Sequence, residues 1–159
     1  IEYAREHDPK VVIEKSALNP REIECAVIQD AKGKPIASEV GEIVVQTGEA
    51  HEYYDFEAKY LDGTSQIVVP ADIPPGVKER VQAYALQAFD AVGAEGLARV
   101  DFFLTDNVGG GLVINEINTM PGFTPFSMFP RLWEASGMPY ADLVEHLISL
   151  ALNRQTGLR

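Results

Sequence analysis

Two neighbouring segments in the second half of the chain carry polar residues that could do chemistry. LARVDFFL and LVINEIN flank a glycine-rich turn, DNVGGG, and this arrangement predicts a β-hairpin. Because side chains alternate along a strand, a hairpin symmetric about the turn places Asp101 opposite Glu116 and Arg99 opposite Asn118. Opposed carboxylates repel each other unless a cation lies between them, and two carboxylates with an amide oxygen suit Mg²⁺. The hairpin therefore predicts a metal site at residues 101, 116 and 118.

The same pattern has a plainer interpretation. Asp101 and Glu116 would also fit an ordinary solvated strand face, and a β-bulge would change which residues face each other. Apolar residues flank the charges on both strands, which is typical of interior strands: Val100, Phe102, Leu104, Val113, Ile114 and Ile117. Charges on interior strands indicate a functional site more often than a solvated surface, so we expect both strands to be interior and their charges to serve a site.

Two loops could complete such a site. TMPGFTPFS follows the hairpin directly, and its Gly122 would let a backbone approach a ligand closely, although a simple turn into a helix explains the loop equally well. The segment from Gln46 to Ser65 has neither strand nor helix periodicity, and a loop of this length is usually functional or disordered. Its Lys59 is either a solvated lysine or a phosphate contact supplied by a mobile lid.

The elements that must hold these residues predict an α+β domain with a mainly antiparallel sheet and packed helices. Strands are expected at 10–14, 21–29, 36–45 and 66–69, in addition to the hairpin. Helical periodicity predicts a helix over 77–92 that stops at Gly93, a short helix around Phe129 and Trp133, and a closing helix from Tyr140. On strand 21–29 the alternation buries Cys25 and leaves Glu24 on the opposite, solvated face.

Composition limits the class of protein. The 159 residues are enough for one domain, and the net charge of −11 argues against nucleic-acid or anionic-membrane partners. One cysteine excludes a disulfide framework and a cysteine zinc site, and with no signal peptide or membrane span it indicates the cytoplasm. His7, His51 and His146 lack metal-ligand spacing. The chain opens at Ile1 with residues typical of a helix already under way, so we expect an N-terminal part to be absent.

Three strings, in this order and spacing, resemble one known family: HEYYDFEAKY, GLARVDFFL and INEINTMPGFTPFSMFPRLWEASGM. They are similar to the C-terminal part of the D-alanine:D-alanine ligases of the ATP-grasp superfamily, and the likeness runs from VVIEKS to the closing helix. The resemblance implies that residues 1–13 are the tail of the central ATP-grasp domain and 14–159 the C-terminal domain. It implies that the N-terminal domain and most of the central domain are absent, and that this fragment alone is inactive.

The resemblance also implies a reaction and a set of roles. ATP would form an acyl phosphate on one D-alanine, and the amine of a second would attack it to give a peptidoglycan precursor. Arg99 and Gly122 would stabilise the tetrahedral oxyanion, and Ser127 would hold the second D-alanine. Asp101, Glu116 and Asn118 would bind two Mg²⁺ ions, or Mn²⁺. The ATP-binding residues would be Glu14, Lys15, Ala17, Glu22 and Lys59.

Two other functions compete with this interpretation. One is a related carboxylate–amine ligase that uses D-lactate or D-serine, against which Tyr60 favours the dipeptide over the D-lactate ester by resemblance. The other is a nucleotide-binding module without ligase activity, which would not need Gly122 and Ser127. The resemblance further implies that a homodimer is possible.

Overall fold

The predicted α+β fold is confirmed by a computed structural model that describes residues 1–45, 65–105 and 111–154. The helices are α1 (Glu2–Arg5), α2 (Pro75–Ala91), α3 (Met128–Ala135) and α4 (Tyr140–Asn153). The strands are β1 (Arg21–Gln29), β2 (Pro35–Val45), β3 (Ser65–Val68), β4 (Leu97–Leu104) and β5 (Leu112–Asn118). The hairpin, the closing helix and the short helix before it all lie where the sequence pattern predicts them.

The strands form one antiparallel sheet in the order β3-β2-β1-β4-β5. Strand β4 is interior, as predicted, because it pairs with β1 on one side and β5 on the other. The same prediction is wrong for β5, which is the edge of the sheet within the described ranges. Ile114 is 46% exposed there. Its apolar residues reflect partial cover of the faces rather than an interior position.

Helices cover both faces of the sheet. On one face, α2 packs its buried Val81, Ala85 and Phe89 against side chains that include Cys25 and Phe102. On the other face, α3 and α4 build a second core around Ala26 and Ile28 of β1: Met128, Phe129, Leu132, Trp133 and Leu143. Because alternate residues of a strand share a face, Glu24 lies on the same face as Ala26 and therefore beside this second core.

Helix α2 shows why its ends were predictable. Pro74 and Pro75 stand at its start, where a missing backbone N–H costs little. At its end Gly93 adopts φ 61°, and the N–H groups of Gly93 and Ala94 donate to the carbonyls of Asp90 and Phe89. This is a Schellman termination. In the described part of the chain, no helix has the length and apolar character needed to cross a bilayer.

The strand predicted at 10–14 is wrong. These residues have no regular structure, and Val12 and Ile13 are 79% and 75% exposed. A strand requires a neighbour for its backbone hydrogen bonds, and no described strand pairs with this segment. The predicted long loop falls largely on residues 46–64, which lie outside the described residues.

Candidate functional site

The register of the β4–β5 hairpin matches the one predicted from sequence symmetry. Asp101 pairs with Glu116, and Arg99 pairs with Asn118. A bulge does occur, but it falls between Asp101 and Phe102, just beyond the paired carboxylates. Bulges are frequent next to functional sites, where they redirect side chains. The hairpin therefore presents four polar side chains together on the face that α3 and α4 partly cover.

Arg99 and Asp101 form the tightest contact of this group. Arg99 Nε donates to Oδ1 and Nη2 to Oδ2 of Asp101, both at 2.7 Å. The two side chains are only 13% and 8% exposed. Parallel N–H···O bonds between a guanidinium and a carboxylate are strong and fix the orientation of both groups. Asp101 is thus held in one direction by its neighbour on the same strand.

Asn118 joins the two hairpin carboxylates. Its Nδ2 donates to Oδ2 of Asp101 at 3.2 Å and to Oε1 of Glu116 at 3.0 Å. A single amide nitrogen, a weakly positive group, therefore lies between two carboxylate oxygens. Mg²⁺ takes oxygen ligands and commonly uses one or two protein carboxylates, with waters and phosphates supplying the remainder. The donor set at Asp101, Glu116 and Asn118 fits such an ion.

This donor set is not a complete protein cage. Within the described residues, no group of three or more histidine, cysteine, aspartate or glutamate side chains is arranged to hold a metal. Two carboxylates and an amide suit a cation that shares its coordination sphere with a phosphate ligand, as Mg²⁺ does in nucleotide-dependent enzymes.

Glu24 belongs to this site, and sequence reasoning missed it. It was expected to be solvated, but it is 2% exposed and faces Asp101 across the β1–β4 pair. Its Oε2 lies 2.8 Å from Nε of Arg99, an ion pair between two nearly buried groups. The signal was available in the alternation of β1, which places Glu24 on the face of Ala26. The helices that bury this face are distant in sequence, so the pattern of β1 alone could not reveal the burial.

The loop after β5 brings Gly122 and Ser127 into contact. A Cβ atom on Gly122 would stand 3.2 Å from the Ser127 hydroxyl oxygen, so this close approach requires glycine or a shift of Ser127. The Thr124 N–H donates to the same hydroxyl oxygen at 3.1 Å, and the two hydroxyls lie 2.9 Å apart. Ser127 also stands at the start of α3, where its side chain makes no cap bond to the helix. The loop is thus a built turn that presents a serine hydroxyl.

The residues predicted to bind ATP lie along the segment that leads into β1. Glu14 and Lys15 are exposed, whereas Ala17 and Glu22 are half-buried. This segment is attached to the hairpin, because Oγ1 of the buried Thr105, just after β4, donates to the Leu18 carbonyl at 3.1 Å. That link was not predicted from the sequence.

Other predicted residues lie elsewhere. Lys59 and Tyr60 are outside the described residues, as is His51. His7 is exposed, while His146 is half-buried with Nε2 2.7 Å from the Gln29 carbonyl, a contact that joins α4 to the end of β1. Cys25 is fully buried, and that burial raises the pKa of its thiol to about 12, so it is an unreactive core residue as expected.

Comparison with known proteins decides the family. A family model described as the D-ala D-ala ligase C-terminus matches residues 1–149. The chain belongs to this family. The D-alanine--D-alanine ligase of Arthrobacter sp. (strain FB24) is 57% identical over 158 residues, which cover 98% of this chain and 40% of that protein. The chain spans about 40% of the length of the curated relatives that it matches.

Solved structures agree with this D-ala D-ala ligase C-terminal fold. The D-alanine--D-alanine ligase from Bacillus anthracis complexed with ATP matches with a TM-score of 0.71 and 32% identity, over 95% of this chain and 45% of that one. The VanG D-Ala:D-Ser ligase from Enterococcus faecalis matches with a TM-score of 0.68 and 32% identity, over 85% of this chain and 37% of that one. The predicted ATP-grasp C-terminal architecture is therefore confirmed.

Proposed function

We propose that this chain is the C-terminal part of an ATP-dependent ligase that joins two D-alanines into D-alanyl-D-alanine for peptidoglycan synthesis. The observation that carries the proposal is the convergence of Arg99, Asp101, Glu116 and Asn118 in a chain of the D-ala D-ala ligase family. Such a set combines fixed positive charge with hard oxygen donors. This is the equipment that phosphoryl transfer requires, since its catalysis rests on positioning and charge neutralisation.

In this proposal Arg99 acts on the oxyanion that forms when the second D-alanine attacks the acyl phosphate. Its guanidinium is oriented by Asp101 and needs no rearrangement to meet developing negative charge. The Gly122 backbone N–H would act with it, and Ser127, in contact with Gly122, would hold the carboxylate of the second D-alanine.

The nucleotide would lie against the segment before β1. Glu14, Lys15 and Ala17 would contact the adenine region, and Glu22 the ribose hydroxyls. The Thr105 link keeps this segment beside the end of β4, so adenine and phosphate contacts would be held in one frame. Lys59 would contact the phosphates, and Tyr60 would favour D-alanine over D-lactate.

Asp101, Glu116 and Asn118 would hold Mg²⁺, as two ions by analogy with the family, or Mn²⁺. Bound there, the metal would neutralise phosphate charge during transfer. The protein's own contribution is to keep two carboxylates facing each other on paired strands, an arrangement that is repulsive by itself.

One alternative is specifically favoured by an observation. The VanG D-Ala:D-Ser ligase matches this chain at 32% identity, so a second substrate other than D-alanine is a real competitor. The D-alanine--D-alanine ligases among the relatives reach 57% identity, which supports the dipeptide. D-lactate and a non-catalytic nucleotide-binding module are further from these relatives.

The domain boundary at residue 13, the homodimer and the cytoplasmic location stay predictions. In the proposal, the N-terminal and central domains of the full-length protein supply the first D-alanine site and the other half of the nucleotide cleft. This chain alone would then be inactive.

The test is a reaction of the full-length protein with ATP, Mg²⁺ and D-alanine, with phosphate release and product mass measured together. D-alanyl-D-alanine formed with equimolar phosphate is the expected result. D-serine and D-lactate are then added in competition at neutral pH. Equal or greater incorporation of either one contradicts the dipeptide assignment, and phosphate release that ignores all three favours the module.

A further inference from the structure

Glu24 is a carboxylate buried as completely as the apolar core around it. It is 2% exposed, and burial of a charge is costly unless a partner compensates it. Its partner is Arg99, whose Nε lies 2.8 Å away. The register of the sheet makes this contact rigid, because Glu24 stands opposite Asp101 and Arg99 lies only two residues further along β4.

Arg99 is therefore shared between two anions on neighbouring strands. Asp101 accepts two hydrogen bonds from Arg99 and one from Asn118. In the proposed function Asp101 must also give oxygen atoms to a cation, and an oxygen atom used by a metal is less available to a guanidinium. An arginine held by Asp101 alone would compete with the metal for the same carboxylate. A second, deeply buried anion removes that conflict.

We infer that Glu24 is the positioning residue for Arg99: its carboxylate fixes the guanidinium on the sheet, so that Asp101 is free to serve a cation. The inference rests on the proposed function, in which Arg99 meets the reacting group. Glu24 acts through Arg99 and needs no contact with substrate. Its work is electrostatic, so a side chain of equal size without charge should not replace it.

Glu24→Gln in the full-length protein tests this directly. Because supporting residues of such sites typically contribute 10- to 100-fold, kcat should fall by about that factor, while KM for ATP changes by less than about threefold. The Mg²⁺ concentration for half-maximal rate should rise, since Arg99 then competes for Asp101. Glu24→Asp, which keeps the charge, should recover part of the rate.

Glu42→Gln is the matched control. Glu42 is also nearly buried and accepts two hydrogen bonds from an arginine, Arg21, at 2.7 and 2.6 Å, but it lies on the α2 face of the sheet. It should leave kcat and the Mg²⁺ dependence unchanged. A matching loss of kcat in Glu24→Gln and Glu42→Gln would mean general destabilisation and would overturn the inference.

A double-mutant cycle separates positioning from structure. In an Arg99→Ala background, Glu24→Gln should have little further effect on kcat, because the group through which it acts is gone. Multiplicative losses would show that Glu24 acts independently of Arg99, which contradicts the inference.

A spectroscopic readout needs no turnover. The ¹⁵N–¹H signal of Arg99 Nε, assigned by its loss in Arg99→Lys, should exchange slowly with solvent in the wild-type full-length protein, with or without nucleotide and Mg²⁺. It should exchange faster in Glu24→Gln and unchanged in Glu42→Gln. A wild-type signal as labile as that of an exposed arginine overturns the inference even if no variant folds.

The two readouts separate the two proposals. A protein that keeps the protected Arg99 signal but makes no dipeptide contradicts the proposed function alone. An active ligase whose kcat ignores Glu24→Gln contradicts the inference alone.

Discussion

Asp101 on β4 faces Glu116 on β5, and the side-chain amide of Asn118 lies between their carboxylates, 3.2 Å from one oxygen and 3.0 Å from the other. Two like charges on directly paired positions destabilise a hairpin unless a compensating group intervenes. Arg99 and Asn118 provide that compensation from the protein, and a metal ion would strengthen it. The pair is therefore better explained by function than by stability.

Glu116→Gln should abolish metal-dependent turnover of the full-length ligase while preserving its fold. Glu116 is exposed, so we expect the free energy of unfolding to change by less than about 0.5 kcal/mol. Loss of one of two charged metal ligands should lower kcat by about 100-fold or more. Phosphate release across a Mg²⁺ titration measures this. Glu145→Gln, an exposed change on α4, is the control, and normal turnover in Glu116→Gln would refute the metal role.

Ser127→Ala should raise KM for the second D-alanine much more than KM for ATP. The Ser127 hydroxyl makes no cap bond to α3, and its contacts are to Thr124, so the fold should lose only about 0.5–1.5 kcal/mol. Initial rates at varied D-alanine and at varied ATP give the two constants. Unchanged D-alanine dependence would mean that Ser127 only shapes the turn.

Gly41→Ala should destabilise the fold through contact with α3. A Cβ atom at Gly41 would lie 2.8 Å from Met128 Sδ, 2.9 Å from Leu132 Cδ2 and 3.1 Å from Val69 Cγ2. Overpacking of this kind costs about 1–3 kcal/mol, measurable by urea unfolding of the full-length protein. Gly76→Ala in α2, where no atom lies within 4 Å of the new Cβ, is the control. Equal stability of the two variants would contradict the close packing of β2 on α3.

The buried thiol of Cys25 should make the fold lose stability at high pH. Burial raises its pKa from 9.0 to about 12. The contribution is fully present below pH 9 and is lost as pH rises from 9 to about 12, because only the unfolded thiol ionises there. The slope is about 1.4 kcal/mol per pH unit. Unfolding free energies of wild type and Cys25→Ala should converge over this range, and parallel curves would show that the thiol is not buried.

The sequence predicted most of the sheet and the key pairing in the site. Alternation along 21–29 and 97–104 identified β1 and β4, and symmetry about the glycine-rich turn gave the pairs 101–116 and 99–118. That reasoning succeeded because hairpin register depends on local turn geometry, and the bulge falls beyond the functional pairs.

The failures share one physical cause, since they depend on partners distant in sequence. The solvated position expected for Glu24 is wrong because α3 and α4, more than a hundred residues away, cover its face of the sheet. The strand expected at 10–14 is wrong because β-pairing requires a neighbour that no described strand provides. Strand β5 is at the edge for the same reason. None of these could be read from local periodicity.

The most direct test of the central claim is a crystal structure of the full-length protein with ATP and Mn²⁺, with data collected at the manganese absorption edge. The anomalous signal should place an ion in contact with oxygen atoms of Asp101 and Glu116 and with the Asn118 side chain, beneath the nucleotide phosphates. Bound nucleotide with no anomalous peak at these three residues, or with its metal held by other groups, would contradict the account.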